Sequence, residues 1–247
     1  MFEATIRADR LADAVDATAA LVDECRLRLD EEGVSIRAAD PAVVAMVEVE
    51  VDADDFHSYA ADGEVIGVDL TRLEDLVRVS DDDDLVRLRL DAERRVLAVE
   101  VETLSYSLGL IDPDTVREEP DLPELSPPAE ATMSGAQLDR GIAAADMVAD
   151  HLRLRVPESR RSLRIEAEGD TDDVTVELGP EDLIDFSPGE ADSLYSLDYL
   201  KEMNHAIPSD ASVTVEMGTE FLVRLAYEAA EAGPRVSYRL APRISTA

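Results

Sequence analysis

The stretch Arg26-Leu27-Arg28-Leu29 returns 127 residues later as Arg153-Leu154-Arg155-Val156. The same offset relates apolar positions from one end of the chain to the other: Ala4 and Ala131, Leu73 and Leu200, Val86 and Val213. Because one offset runs through strand-like and helix-like segments alike, the pattern predicts one domain fold built twice in tandem.

The size and composition agree with two folded domains. The chain has 247 residues and 45% hydrophobic residues, enough for two domains of about 100–125 residues that each bury a core. No segment approaches the roughly 20 apolar residues that span a bilayer, and Met1-Phe2-Glu3 opens without a basic leader. Cys25 is the single cysteine, which excludes an internal disulfide framework. We therefore expect a cytoplasmic protein.

The charge is strongly negative. Asp and Glu number 57 against 23 Lys and Arg, giving a formal net charge of −34, and Lys201 is the one lysine. Such an excess destabilises a compact chain by self-repulsion, but at molar salt the Debye length falls to about 3 Å and most of that repulsion disappears. Acid spread along the whole chain favours adaptation to high salt. The alternative is an acidic surface that mimics nucleic acid.

The pattern of each half predicts an α+β fold with antiparallel sheets. A short strand leads into a helix, with Asp9 expected near the first helix start and Ser134 near its counterpart. Alternating strands follow, including a long one over 43–51, then a second helix and three more strands. Residues 112–128 hold five prolines among many acids, the composition of an extended linker. We therefore predict domains at 1–111 and 129–247 joined by the linker 112–128.

The catalytic inventory is nearly empty. The chain has no glycine-rich phosphate loop, no nucleophile elbow and no paired zinc-binding histidines. The three histidines are far apart in sequence, and Cys25 is expected to be a small buried hydrophobe. The run Asp81 to Asp84 fits a solvated turn better than a divalent-metal site. We predict no catalytic residue, no metal site and no cofactor.

Three short apolar segments are expected to be partly exposed. They supply Val44 and Met46 beside a proline corner, Leu122 and Pro123 in the linker, and Leu240, Ala241 and Pro242 near the C-terminus. A pocket built from a linker and two strand ends suits a short peptide with hydrophobic anchors. We predict that these seven residues bind such a partner peptide.

The order of several short motifs carries a family resemblance over essentially the whole chain. They are Met1-Phe2-Glu3-Ala4, Gly33-Val34-Ser35-Ile36, Gly67-Val68-Asp69-Leu70, Leu122-Pro123-Glu124 and Leu240-Ala241-Pro242-Arg243-Ile244. In this order, with the duplication, they resemble the proliferating cell nuclear antigen family of DNA sliding clamps in its archaeal branch. Arg239 departs from the family, which often has an aromatic residue there.

The resemblance implies a homotrimeric ring that encircles double-stranded DNA, with helices lining the hole and antiparallel sheets outside. Such a ring confers processivity in replication. It tethers DNA polymerase, flap endonuclease and DNA ligase, and a clamp loader opens it. The resemblance places the subunit interface on two edge strands, with the residues Leu104, Tyr106, Leu108, Leu110, Val174, Val176 and Leu178.

The central hole departs from the family pattern of lysine-rich helices. The basic residues that the resemblance turns toward DNA are Arg10, Arg72, Arg78, Arg140 and Lys201, while the first helix also offers Asp13 and Asp16. Direct phosphate contacts weaken steeply with salt. We therefore expect retention on DNA to be topological, with cations bridging acids to phosphates as a further hypothesis.

Two other classes remain open on the sequence. An acidic DNA mimic that blocks a DNA-binding protein would be a monomer or dimer and would not enclose DNA. An acidic hydrolase would need a cleft with paired carboxylates. Neither accounts for the duplication together with the proline-rich linker.

Overall fold

The computed structural model describes residues 1–120, 126–159, 161–229 and 233–243. The chain divides into two compact units. The first contains Met1–Pro120 and Ala229–Val236, and the second contains Asp121–Glu228 and Ser237–Ala247. No helix in the described parts is long and apolar enough to cross a membrane.

The first unit combines two sheets with two packed helices. The helices are α1 (Ala8–Ala19) and α2 (Leu70–Val77). The strands are β1 (Phe2–Arg7), β2 (Glu24–Asp30), β3 (Gly33–Ala39), β4 (Ala45–Asp52), β5 (Ser58–Ala61), β6 (Glu64–Asp69), β7 (Leu85–Asp91), β8 (Val96–Val101) and β9 (Leu104–Gly109). One sheet has the order β5-β1-β7-β8-β9, and in the other β4, β3, β2 and β6 follow one another.

The first core lies between these helices and the sheets. Ala14, Val15 and Ala17 of α1 are buried, and so are Leu70 and Leu73 of α2. Small alanines let α1 approach β4 and β1 closely, while the leucines of α2 recur at helical spacing. Their opposite faces carry the charged residues of both helices.

The second unit repeats this plan. Its helices are α3 (Gly135–Asp146) and α4 (Leu197–His205). Its strands are β10 (Ala129–Ser134), β11 (His151–Val156), β12 (Leu163–Glu168), β13 (Asp173–Leu178), β14 (Asp185–Ser187), β15 (Ala191–Ser196), β16 (Ser212–Met217), β17 (Val223–Glu228) and β18 (Arg235–Leu240). The sheet orders are β14-β10-β16-β17, with β18 beside β17, and β13-β12-β11-β15.

The offset of 127 residues is a structural offset. It carries the bounds of β1, α1, β6 and β8 onto those of β10, α3, β15 and β17 without a residue of shift. It slips by two residues at one place: Leu27 pairs with Ile36, whereas Leu154 pairs with Ile165. The original offset returns in β13, because Ile165 pairs with Val176 as Ile36 pairs with Val49. A longer β11–β12 connection and a shorter following turn cause this slip.

Candidate partner-binding and DNA-facing surfaces

The loop before β4 is shaped by one buried carboxylate. Asp40 is 2% exposed, and its Oδ1 accepts hydrogen bonds from the backbone N–H groups of Val44 and Ala45, both at 2.8 Å. Its Oδ2 accepts from Ala42 N–H at 2.8 Å, and its carbonyl accepts from Val43 N–H at 3.0 Å. The strand predicted over 43–51 therefore starts only at Ala45, because these bonds close a turn over the preceding residues.

This turn, which we call the Asp40 loop (residues 40–45), presents two valines to solvent. Val43 is 48% exposed and Val44 is 38% exposed. Met46, the other residue predicted from this segment, is 4% exposed and belongs to the core. The apolar surface of the loop is thus carried by Val43 and Val44, and the sequence analysis named only the second.

The C-terminal segment differs from the expectation in one residue. Leu240 was expected to be exposed, but it is 1% exposed because β18 turns Val236, Tyr238 and Leu240 alternately toward the core. Ala241 is exposed and Pro242 is half-buried. Leu122 and Pro123 lie outside the described residues.

The first half of the predicted linker is attached to the first unit. Arg26 donates from Nε to the carbonyl of Pro113 and from Nη2 to the carbonyl of Val116, both at 2.7 Å. Arg28 donates from Nη2 to Glu119 Oε1 at 2.6 Å. The Glu119 side chain is 7% exposed. This part of the linker is therefore fixed on β2, where we expected an extended chain repelled by its own charge.

The helix pairs carry more acid than base. In α1, α2, α3 and α4 together, nine Asp and Glu residues stand against four Arg and Lys residues. Burial, reinforced by the carboxylate of Asp9, raises the pKa of Asp13 to about 6. Burial followed by the charge of Glu74 also raises the pKa of Asp16. The electrostatic environment of these helices disfavours added negative charge.

The cations predicted to face DNA are mostly engaged by neighbouring carboxylates. Arg72 lies 3.3 Å from Asp69, Arg78 pairs with Glu74, and Lys201 lies 2.9 Å from Asp146. Arg10 is half-buried, whereas Arg140 is exposed and makes no ion pair with any described residue. A phosphate would have to compete for most of these cations with carboxylates already bound to them.

Two strands predicted to form an interface lie at sheet edges. β9 ends one sheet of the first unit and β13 ends one sheet of the second. On β9, Leu104 and Tyr106 are exposed, whereas Leu108 is fully buried. On β13, Val174 and Val176 are half-buried, whereas Leu178 is buried. Leu110 lies beyond the end of β9. Alternation along a strand turns Leu108 and Leu178 into their own cores, so their side chains are not available to a neighbouring subunit.

The chemical groups outside these surfaces show no catalytic arrangement. Cys25 is buried as expected, and burial raises the pKa of its thiol to about 12. Asp81 to Asp84 form a turn in which Asp84 Oδ2 accepts from the Asp81 N–H. Within the described ranges, no group of three or more His, Cys, Asp or Glu side chains is arranged to hold a metal ion.

Comparison with known proteins assigns this fold. Residues 1–110 match the N-terminal domain of proliferating cell nuclear antigen. The chain is 54% identical to the DNA polymerase sliding clamp of Natronomonas pharaonis and 49% identical to that of Halobacterium salinarum, with the full length of each chain covered. It belongs to the DNA polymerase sliding clamp family.

Solved structures of the sliding clamp family agree with this assignment. A complex of the C-terminal region of FEN-1 with A. fulgidus PCNA has a TM-score of 0.94 at 38% identity and covers all of both chains. PCNA from Thermococcus kodakaraensis has a TM-score of 0.90 at 26% identity and covers 98% of this chain and 100% of its own. Sliding clamps are non-enzymatic processivity factors, so the chain is not an enzyme, and the DNA-mimic and hydrolase alternatives are not supported.

In this sliding clamp chain, a large cleft does not serve as the expected peptide pocket. It has a volume of about 1040 Å³, lies in the second unit and is lined by many carboxylates, among them Asp146, Glu166 and Asp170. Pro242 also lines it. An acidic lining does not suit the hydrophobic anchor of a peptide, which needs an apolar pocket.

The sequence analysis missed two sets of residues that the clamp fold brings into play. Asp40 was treated as a corner, although its carboxylate closes the loop that exposes Val43 and Val44. Arg26 and Arg28 were read only as polar positions of an alternating strand. The Asp-Pro pair at 40–41 signalled a turn, but no local signal could have revealed arginine contacts that span 87 to 91 residues.

Proposed function

We propose that the chain acts as a sliding clamp in which three copies form a ring around duplex DNA and hold the replicative polymerase on its template. A flap endonuclease, DNA ligase and a clamp loader would bind the same ring, which would act in the cytoplasm. The observation that carries the proposal is full-length identity of 54% to a sliding clamp, on a fold that is itself a duplication.

The edge strand β9 supports a ring. Its sequence Leu104-Ser-Tyr-Ser-Leu-Gly109 has no charged residue in a chain of net charge −34. An edge strand without charge, proline or cover is prone to pair with another strand. We propose that β9 pairs with β13 of the neighbouring copy, so that each ring interface joins one β9 to one β13. Leu104, Tyr106, Val174 and Val176 would supply its side-chain contacts.

The ring is tested by light scattering in about 3 M KCl, where screening of the acidic surface is strongest. The expected mass is three times 26.9 kDa. Tyr106→Asp should give a monomer, because it places a carboxylate on the β9 edge. Val79→Asp, at a 69% exposed position after α2, is the matched control and should remain trimeric. A monomeric wild type would remove the ring.

We further propose that partner peptides bind at the Asp40 loop, with Val44 as the exposed anchor. The other predicted members, Met46, Leu122, Pro123, Leu240, Ala241 and Pro242, are kept on the resemblance, with Met46 and Leu240 supporting the surface from the core. The relative from A. fulgidus was solved with the C-terminal region of FEN-1 bound, which supports binding of a short peptide.

This surface is tested by stimulation of a replicative polymerase on primed circular DNA. Val44→Asp should abolish most of the stimulation, because it places a carboxylate against a hydrophobic anchor. Val65→Ser removes an apolar side chain of similar exposure on β6 and should leave stimulation unchanged. Equal stimulation by both variants would contradict the location of the peptide site.

On DNA we propose that the ring is held by topology, with little direct phosphate contact. Arg72, Arg78 and Lys201 already pair with carboxylates, and phosphate contacts lose affinity steeply with salt. Rings loaded on circular DNA should therefore stay bound in about 3 M KCl and leave when a nuclease linearises the circle. Loss from intact circles at high salt would show that direct contacts hold the ring.

A further inference from the structure

The Asp40 loop contains a backbone conformation that is unfavourable for its residue. Val43 has φ = 58°, in the left-handed region, where a β-branched side chain clashes with its own backbone. Arg95, Glu102 and Glu220 also have positive φ. Among the described non-glycine residues with positive φ, Val43 is the one with a branched Cβ.

The turn itself does not need a valine at this position. The hydrogen bonds that close it join the Asp40 carboxylate and carbonyl to backbone N–H groups of residues 42 to 45. The Val43 side chain takes no part in them. Asparagine or glycine would adopt the same φ with less strain, so the fold alone gives no reason for valine.

The core gives no reason either. Val43 is 48% exposed and stands beside the exposed Val44, so its methyl groups add little to the buried apolar area of the first unit. A strained residue that neither the turn nor the core requires points to a function of its side chain.

We propose that Val43 is a specificity-determining residue of the partner-peptide surface, whose methyl groups contact an apolar side chain of the bound peptide. This inference rests on the proposed function, and the occupant is a peptide of the kind bound in the A. fulgidus relative, the C-terminal region of FEN-1. In molar salt, ion pairs between the peptide and the acidic chain are screened, whereas burial of apolar surface is not an ionic effect. An added valine strengthens the type of contact that survives.

The test separates stability from binding with two matched asparagine variants. Val43→Asn and Glu102→Asn each place a residue that tolerates the left-handed region at a positive φ. Both should raise Tm by about 2–4 °C, as relief of strain predicts. A synthetic peptide of the A. fulgidus FEN-1 C-terminal region is the binding probe, titrated calorimetrically in about 3 M KCl.

The affinity of this probe for Val43→Asn should fall about fivefold, because half of a valine side chain no longer packs against the peptide. Glu102→Asn should bind like the wild type, and Val43→Ile should also keep wild-type affinity because it retains the branched apolar shape. Unchanged affinity of Val43→Asn beside a binding wild type would overturn this inference and leave the peptide site intact. If the wild type does not bind the probe, the proposed peptide site is wrong and the role of Val43 falls with it.

Discussion

The arginines at equivalent positions of the two units bind different partners. Arg28 on β2 and Arg155 on β11 are related by the offset of 127 residues. Across the neighbouring strand, Arg155 faces Asp192, whereas Arg28 faces Val65. With no carboxylate opposite, Arg28 binds Glu119 from the linker at 2.6 Å, while Arg155 remains 3.7 Å from Asp192. One residue on the next strand thus accompanies a change from an internal ion pair to a linker contact.

The second member of each arginine pair follows the same rule. Arg153 makes a two-pronged contact with Asp192, at 2.5 and 3.0 Å. Arg26, its equivalent, donates both of its bonds to backbone carbonyls of the linker. The duplicated scaffold fixes where the guanidinium groups stand, and the residues around them decide what they bind.

Removal of the two equivalent arginines is expected to give the largest difference between the units. Arg28→Ala leaves the nearly buried Glu119 carboxylate without its partner, which should cost about 2 kcal/mol. Arg155→Ala should cost less than about 0.5 kcal/mol, because its ion pair is long and solvent-exposed. Urea unfolding in about 3 M KCl measures both.

The location of the Arg28 effect is checked by hydrogen exchange. Ile111 N–H donates to the Gly67 carbonyl at 2.9 Å, where the linker begins. Exchange at Ile111 and Thr115 should accelerate in Arg28→Ala and stay at the wild-type rate in Arg155→Ala. Equal costs for the two alanine variants would mean that the linker contact is no stronger than a surface ion pair.

Transfer of the second unit's carboxylate to the first should redirect the arginines. In Val65→Asp, the new carboxylate would stand opposite Arg28, as Asp192 stands opposite Arg155, and would compete with Glu119 and the linker carbonyls. We expect faster exchange at Thr115 with a change in unfolding free energy of about 1 kcal/mol. Val65→Asn matches the shape without the charge and should leave the exchange rate unchanged. Slower exchange in Val65→Asp would contradict competition for the arginines.

Most of the fold could be predicted from the sequence because periodicity records which face of each element is buried. The offset placed equivalent elements in both halves, and the alternation in β18 also shows that Leu240 points inward with Tyr238. The expectation of an exposed Leu240 was wrong because proximity to Pro242 was given more weight than the strand period.

The remaining features depend on contacts that are distant in sequence or on a single buried side chain. The attachment of residues 113–119 depends on arginines about 90 positions earlier, which no local pattern reveals. The start of β4 depends on a buried Asp40 carboxylate that accepts three N–H bonds. The helix starts show both outcomes: Ser134 caps α3 as expected, whereas α1 begins before Asp9, with Arg7 at the cap position.

The two equivalent helix caps provide a smaller test of the comparison. Ser134 accepts the Gln137 N–H, and Gln137 returns a bond to Ser134, whereas Arg7 makes no side-chain cap bond. Ser134→Ala should therefore cost about 1 kcal/mol. Arg7→Ser should change stability by less than about 0.5 kcal/mol, since a new cap offsets the loss of the ion pair with Asp9. Calorimetric Tm values measure both changes. A loss in Arg7→Ser as large as that in Ser134→Ala would show that Arg7 already stabilises the α1 start.

The smallest expected effect concerns the pH dependence contributed by α1. The pKa of Asp13 is raised from 3.8 to about 6, chiefly by burial, so between these values the folded chain binds a proton that the unfolded chain lacks. Its contribution to stability therefore increases as pH falls from about 7 to about 5 and is lost as pH rises through about 6. Asp13→Asn should raise stability at pH 8 by roughly 0.5 kcal/mol, after allowance for solvent screening, and flatten the change between pH 5 and pH 7. Asp75→Asn, an exposed carboxyl on α2, removes the same charge and should leave the slope unchanged. Equal slopes for the wild type and Asp13→Asn would show that Asp13 titrates in the folded chain as it does in the unfolded one.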